Sequence, residues 1–416
     1  MKYSMGFGRT VQEFQFDEKN ILGELRPNEV EINLTGELEV KRALENPISS
    51  PKLSEIVKPG EKIVIITSDI TRPMPSSKVL PHVVDEILKA GCSKDDITIV
   101  LALGAHRPHT EEEKRYLVGE DIFNTIKCID SNQDDYVHLG NTKNGTPVDV
   151  FTPVAKADKR ICLGNIEYHY FAGYSGGVKA IMPGVSTRHA IQANHSLMVE
   201  DEAKAGNLDT NPVRLDLESI EEFISVDFIL NVVLNEKKEI VKAVAGHFID
   251  AHREGCRFLD GFYKISIEEK ADIVIVSQGG YPKDLNLYQA QKALDNSKHA
   301  VKDGGIIILV ASCKEGLGEK VFENWMNEAK ESKDLIQRIK ENFVLGGHKA
   351  AAIALVLEKA KIFLVSELEP DFVKTLFMEP FDNVQNALDQ ALVEKGNDAK
   401  IILMPVGGST LPVYND

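Results

Sequence analysis

Four stretches of the chain bring together side chains that can move protons, hold charge or ligate a metal. The first is SDITRPMP at 68–75, where Asp69, Thr71 and Arg72 precede Pro73. A guanidinium fork suits a carboxylate or phosphate, and Asp69 and Thr71 suit ribose or phosphate contacts. The ordinary alternative is an Asx or Ser/Thr turn beside a surface arginine. The second is GAHRPHT at 104–110, with His106 after small residues that leave it open, as a general base must be. His109, following Pro108, reads as turn or helix-start material, and a structural role is the ordinary alternative for either histidine.

The third stretch is the richest: GNIEYHYFAGYSGGVKAIMPGVSTRHAIQANH at 164–195, carrying five glycines with His169, Lys179 and His195. Glycines let the backbone approach a ligand closely and offer N–H groups to phosphate. The stretch is not a P-loop, because Val178 precedes Lys179 and Ala180 follows it, nor does it match the G-x-G-x-x-G dinucleotide pattern. The residues after Lys179 are Ala180, Ile181, Met182 and Pro183, an apolar setting that lowers an amine's pKa and favours covalent use. A lysine stem laid over apolar surface is the plainer reading. His195 lacks partners at zinc-site spacing, and HExxH and CxxC are absent, so any metal on it must draw most ligands from outside the protein. The fourth stretch, GGYPKDLNLYQAQKAL at 279–294, sets Gln289 and Lys292 one helical turn apart beside Tyr288. That spacing fits a carboxylate clamp, and equally a solvated helix face.

These residues need elements to hold them. KIVIIT (62–67), DITIVLAL (96–103), RICLGN (160–165) and VDFILNVVLN (226–235) are short β-branched runs of the kind buried on both faces of a parallel sheet. SSKVLPHVVDEILKAG between the first two repeats apolar residues at helical spacing and ends at Gly91, a C-terminal stop. A second strand and helix series starts near 270 with ADIVIVSQGG and runs through IIILVASC, AKIFLVS and AKIILMPVGG. The sequence therefore predicts two α/β lobes with mostly parallel sheets and the active site in the cleft between them, since ligands of such folds bind at strand carboxyl ends. The first domain is expected over 1–266, the second over 270–405, with the tail 406–416 returning to the first.

Length agrees with that division: 416 residues at about 150 per domain make two or three. The 48 Lys and Arg against 64 Asp and Glu give a formal charge of −16, which argues against nucleic acid or an anionic membrane as partner. The first twenty residues contain no signal-peptide core, and no apolar run approaches the roughly 18 residues of a membrane span. The chain thus reads as cytoplasmic. Five scattered cysteines without CxxC suit reduced, packed thiols.

Taken in order, DITRP, GAHRPHT, YHYFAGYSGGVKAIMPG with its His-x9-Lys-x15-His spacing from 169 to 195, YQAQK and GGHKA at 346–350 resemble the lactate racemase family that uses a nickel-pincer nucleotide. The resemblance runs through nearly the whole chain. It implies a pyridinium-3-thioamide-5-thiocarboxylic acid mononucleotide holding nickel through two sulfurs and a ring carbon. Lys179 is then the attachment point and His195 the remaining nickel ligand, which supplies the donors the sequence lacks. It assigns His106 and His169 as the acid/base pair, one for each face of lactate. Reversible hydride transfer through bound pyruvate avoids a carbanion beside a carboxylate.

Arg72, Gln289 and Lys292 would hold the carboxylate, with Tyr288 lining the pocket. Asp69, Thr71, Ser175 and Phe171 are the candidates for nucleotide contacts, Phe171 packing on the pyridinium. The partners implied are lactate and the accessory proteins that build the cofactor and insert nickel. Two other functions compete: the same chemistry on malate or a sugar acid, and a zinc-dependent hydrolase built on the three histidines. The two-lobe reading further predicts closure of the lobes around substrate.

Overall fold

The computed structural model describes residues 2–235 and 237–414. The chain forms two compact units, Val30–Gly261 and Met1–Glu29 together with Phe262–Asp416, called here the central and terminal units.

In the central unit the apolar runs pair as parallel strands. The six-stranded sheet runs in the order Ile240–Gly246, Phe228–Leu234, Lys159–Ile166, Ile63–Ser68, Ile97–Ala102, Lys127–Asp130. Only the edge strand Ile240–Gly246 is antiparallel to its neighbour. Strand Ile63–Ser68 is buried along nearly its whole length, as a two-sided sheet strand must be. Helix Ser76–Lys89 covers one face with Val79, Leu80, Val83, Val84 and Ile87, packed in one cluster with Ile63, Ile65, Ile97, Ile99, Ile161 and Leu163. Each such buried side chain is worth about 1.5–3 kcal/mol over exposure. Gly91, just past this helix, has φ +87°, the left-handed stop its position predicts.

Chain direction across this sheet sets the site. From Ile63–Ser68 the chain goes to Ile97–Ala102 on one side and returns to Lys159–Ile166 on the other. The carboxyl ends of these three strands therefore flank a topological switch point, where open α/β sheets bind their ligands. Three of the four chemistry-bearing stretches of the sequence, at 68–75, 104–110 and 164–195, leave from these ends or shortly beyond them.

The terminal unit repeats the plan with an all-parallel sheet in the order Glu379–Phe381, Ala360–Val365, Val301–Val310, Ala271–Ser277, Ile401–Met404, Ile21–Glu24. Its membership corrects two sequence expectations. The first 29 residues belong here and not with the central unit. Ile21–Glu24 adds to the sheet edge beside Ile401–Met404, and the hairpin Lys2–Phe7 and Thr10–Gln15 buries Met5, Phe7 and Phe14 against Ile273, Ile308 and Phe363. The tail does not return to the central unit: Leu411–Tyr414 pairs in parallel with Lys264–Ile267 of the terminal one. Among the described residues no helix is long and apolar enough to cross a membrane.

Candidate active site

Strands Ile63–Ser68 and Ile97–Ala102 are paired to their last residues, Ser68 opposite Ala102, so the loops that follow leave side by side. The result is a tight group: Asp69 Oδ2 lies 2.7 Å from His106 Nδ1, and the Thr71 hydroxyl donates to both Asp69 oxygens at 2.9 and 3.1 Å. Asp69 is buried while His106 and Arg72 stay exposed. Burial pushes the Asp69 carboxyl up, but bonds from His106 and Thr71 and the charges of His106 and Arg72 outweigh it and hold it below its ordinary value. Asp69 and Thr71 were expected on the nucleotide; in the structure Asp69 bonds His106 and Thr71 bonds Asp69. His109 has the structural role its position suggested: Nε2 accepts the Ile70 N–H at 3.1 Å and Nδ1 bonds Asp130 at 2.7 Å, pinning the loop that carries Asp69.

Beyond strand Lys159–Ile166 the glycine-rich stretch folds into a minimal hairpin, Tyr168–His169 against Gly173–Tyr174, then a 3-10 turn Gly177–Ala180 and helix Arg188–Ser196. Two glycines are required sterically. Gly173 has φ +75° and a Cβ there would stand 2.0 Å from Asn207 O; Gly176 has φ +78° against Asn231 and Ile166. The Ser175 hydroxyl, a candidate for phosphate, donates instead to Asn165 O at 2.8 Å and accepts the Glu167 N–H at 2.9 Å, fastening the hairpin to its strand.

Phe171 is the hub of this hairpin. Its buried ring lies edge-on to His169 at 4.5 Å between centroids, to His195 at 4.9 Å, and 5.9 Å from Lys179 Nζ. The three residues spaced along the sequence at 169, 179 and 195 thus converge on one aromatic ring.

The charge around them is one-sided. Burial, then repulsion from Arg214 and Arg72, drives the Lys179 amine well below its ordinary pKa. His169 is driven well below the ordinary imidazole value by burial first and then by Lys179, Arg72, His195 and Arg214. Its Nδ1 accepts the Ala172 N–H at 3.3 Å. Such a site favours a neutral amine and imidazole and attracts anions.

Arg214 is the functional residue that sequence reading missed. It is fully buried on helix Pro212–Glu218, and its guanidinium donates to Ala172 O at 3.3 Å and to Tyr174 O, clasping both ends of the Gly173 turn. Asn211, the cap of that helix, donates to Phe171 O at 2.9 Å. An Asn-Pro pair starts this helix, but nothing local in the sequence shows what its arginine reaches.

Among the described residues no group of three or more His, Cys, Asp or Glu side chains is arranged to hold a metal ion. A metal at His195 therefore needs other donors, which a nickel-pincer nucleotide brings with it. A lysine whose amine is lowered in pKa, beside the single imidazole of His195, fits that group.

In the terminal unit Tyr288, Gln289 and Lys292 occupy the first turns of helix Leu287–Ser297, as their spacing predicted. Asn286 caps the helix by accepting the Gln289 N–H at 3.0 Å. Lys349, from the GGHKA stretch, donates to Tyr288 O at 2.6 Å with Nζ 4.1 Å from the Tyr288 ring centroid.

The lactate racemase N-terminal domain model matches residues 7–206 and the lactate racemase C-terminal domain model residues 267–411. The chain is 35% identical to the lactate racemase of Thermoanaerobacterium thermosaccharolyticum, covering 97% of each, and 32% identical to that of Lactiplantibacillus plantarum, covering 94% of this chain and 95% of that one. Its structure is similar to that of the T. thermosaccharolyticum lactate racemase apoprotein, with a TM-score of 0.90 at 34% identity over 99% of this chain and all of that one. A Thermotoga maritima protein, 18% identical with a TM-score of 0.62 over 92% of this chain and all of that one, shares the fold. The histidines, lysine and arginines gathered on the central sheet thus stand in a chain that belongs to the lactate racemase family, an isomerase family.

Proposed function

We propose that the chain interconverts D- and L-lactate, with Lys179 carrying a nickel-pincer nucleotide and His195 ligating its nickel. The observation that carries this reading is the convergence of His169, Lys179 and His195 on Phe171, with the lysine pKa pushed well below its ordinary value by burial and by Arg214 and Arg72. When bound, that cofactor supplies a reversible hydride acceptor. The chain's own residues handle the proton and the carboxylate. His106, held through Nδ1 by Asp69, and His169, low in pKa, are the acid/base pair at the substrate hydroxyl. One imidazole takes the hydroxyl proton as the C2 hydride departs, leaving bound pyruvate. With the hydride restored to the other face of the carbonyl, the other imidazole, which must start protonated where the first starts neutral, would give its proton to oxygen. The hydride returns to the substrate, so no net oxidant is needed, and the two rings, having exchanged protonation states, reset by proton exchange with solvent.

Arg72 is the carboxylate partner on the central unit, and Gln289, Lys292 and Tyr288 are the candidates on the terminal one. The local guanidinium charges of Arg72 and Arg214 attract a monoanion that the net charge of −16 would otherwise repel at long range. The nucleotide requires accessory proteins that build it and insert nickel.

The test is to produce the chain with and without those proteins and follow optical rotation from single enantiomers of lactate and malate. Racemisation of lactate only in the loaded enzyme, with a covalent mass on Lys179 and bound nickel, is the expected result. Activity on malate but not lactate would overturn the substrate, and lactate racemisation with an unmodified Lys179 would overturn the mechanism.

A further inference from the structure

We propose that Asn194 is a positioning residue that holds His195 in the tautomer protonated at Nδ1, so that Nε2 presents its lone pair to the metal. The inference rests on the reading of His195 as a nickel ligand and assigns the groups that prepare it. His195 Nδ1 lies 2.9 Å from Asn194 Oδ1. Neighbouring side chains on a helix do not normally face each other, and the pair stands at the end of helix Arg188–Ser196. Asn194 is completely buried, a position an amide tolerates only when its polar atoms are bonded.

The orientation of that amide follows from its other partners. Its Nδ2 faces two acceptors, Asp216 Oδ2 at 2.9 Å and Val213 O at 3.2 Å. Turned over, the amide would set its oxygen against a carboxylate and a carbonyl. Asp216 is itself fixed: Oδ1 accepts from the Thr142 hydroxyl at 2.5 Å and Asn144 Nδ2 at 3.2 Å, and Oδ2 from the Thr146 hydroxyl at 2.6 Å as well as from Asn194. With two donors on each oxygen the carboxylate is saturated and gives Asn194 no reason to rotate. Oδ1 must therefore meet His195, and an amide oxygen only accepts. Nδ1 is the donor, and a neutral ring then carries its lone pair on Nε2, the form that ligates a metal. Outer partners of this kind set ring orientation and metal affinity.

The test begins on metal-free protein labelled with 15N in its histidines, with the His195 signals identified by their loss in His195→Gln. Long-range 1H–15N spectra should show the Nδ1–H tautomer. In Asn194→Leu the ring should lose that preference, and nickel in the loaded variant should be lost to a chelator about 10-fold to 100-fold faster. The double variant Thr142→Val, Thr146→Val keeps Asn194 but loosens Asp216 and should fall between. An Nε2–H tautomer in the unaltered chain overturns the proposal without any variant. Unchanged tautomer and nickel retention in a folded Asn194→Leu also overturn it. If the unaltered chain shows the Nδ1–H tautomer but never retains nickel under full cofactor supply, the ligand reading fails while the orienting bond stands.

Discussion

The Asp69 carboxylate and the His106 imidazole are joined at 2.7 Å through Oδ2 and Nδ1, with Thr71 bonding the same carboxylate. The bond holds the ring through Nδ1, and on the proposed reading Nε2 is the nitrogen that meets the substrate. Asp69→Asn removes the charge and allows the ring to turn or adopt the other tautomer, while the buried site keeps an isosteric group. The expected outcome is a folded enzyme with kcat lower by about 10²-fold or more and KM little changed, since general acid–base catalysis contributes about 10²–10⁴-fold. Steady-state kinetics in both lactate directions with matched cofactor loading is the check. An unchanged kcat would remove His106 from proton transfer.

Lys179 should react as an unusually nucleophilic amine. An ordinary lysine near pKa 10.4 is deprotonated in only about one molecule in 2,500 at pH 7. Burial and the charges of Arg214 and Arg72 lower the Lys179 amine well below that range. Metal-free, cofactor-free protein treated briefly at pH 7 with a limiting, small acylating reagent should be modified at Lys179 ahead of the exposed lysines, read by peptide mass spectrometry. Prior acylation should block cofactor attachment. Labelling spread evenly over surface lysines would contradict a depressed pKa at this position.

For His169 the sign of the pH effect is fixed by the depressed pKa. The folded ring stays neutral through the range where a free histidine, near 6.5, takes up a proton. Below that value the unfolded chain therefore binds more protons than the folded one, and stability falls as the pH drops. The contribution of this site is fully present above pH about 6.5 and is lost toward lower pH. Urea unfolding of the apoprotein between pH 5 and 8 should show that slope, and His169→Gln should flatten it. His252, also depressed by burial first and then by Arg214, adds a parallel slope that the variant leaves in place.

Contacts within a strand or a helix were legible in the sequence, and contacts between distant segments were not. Ile63–Ser68 and Ile97–Ala102 are continuous apolar runs, and their loops announced Asp69, Arg72 and His106 because functional side chains gather at such ends. The spacing of 169, 179 and 195 singled out three residues, and Phe171, expected on the pyridinium, lies edge-on to both histidines and near the lysine, a meeting that the spacing alone does not encode. For Ser175 the sequence does not show that its hydroxyl bonds Asn165 O and Glu167 N, because a hydroxyl in a glycine-rich loop serves phosphate or backbone equally well. The edge strand Ile240–Gly246 and the placement of Ile21–Glu24 depend on register with strands far away in sequence, which periodicity does not encode.

Arg214 acts on the site in two ways that substitution can separate. Its fork clasps Ala172 O and Tyr174 O, and its charge lowers the Lys179 amine. Arg214→Met removes both and leaves two carbonyls without their donor. Hydrogen bonds to charged groups are worth about 1.5–3 kcal/mol each, so a loss of about 3 kcal/mol in apoprotein stability is expected. The Lys179 pKa should rise with the cation gone, slowing its acylation at pH 7. Arg214→Lys keeps a charge but loses the fork, since an ammonium cannot bridge the two carbonyls in the same planar geometry. It should be destabilised in a similar way yet retain much of the fast Lys179 labelling. Measured together, denaturant midpoints and labelling rates distinguish a structural clasp from an electrostatic one. Equal labelling in all three proteins would show that burial alone depresses the amine, leaving Arg214 only the hairpin to hold.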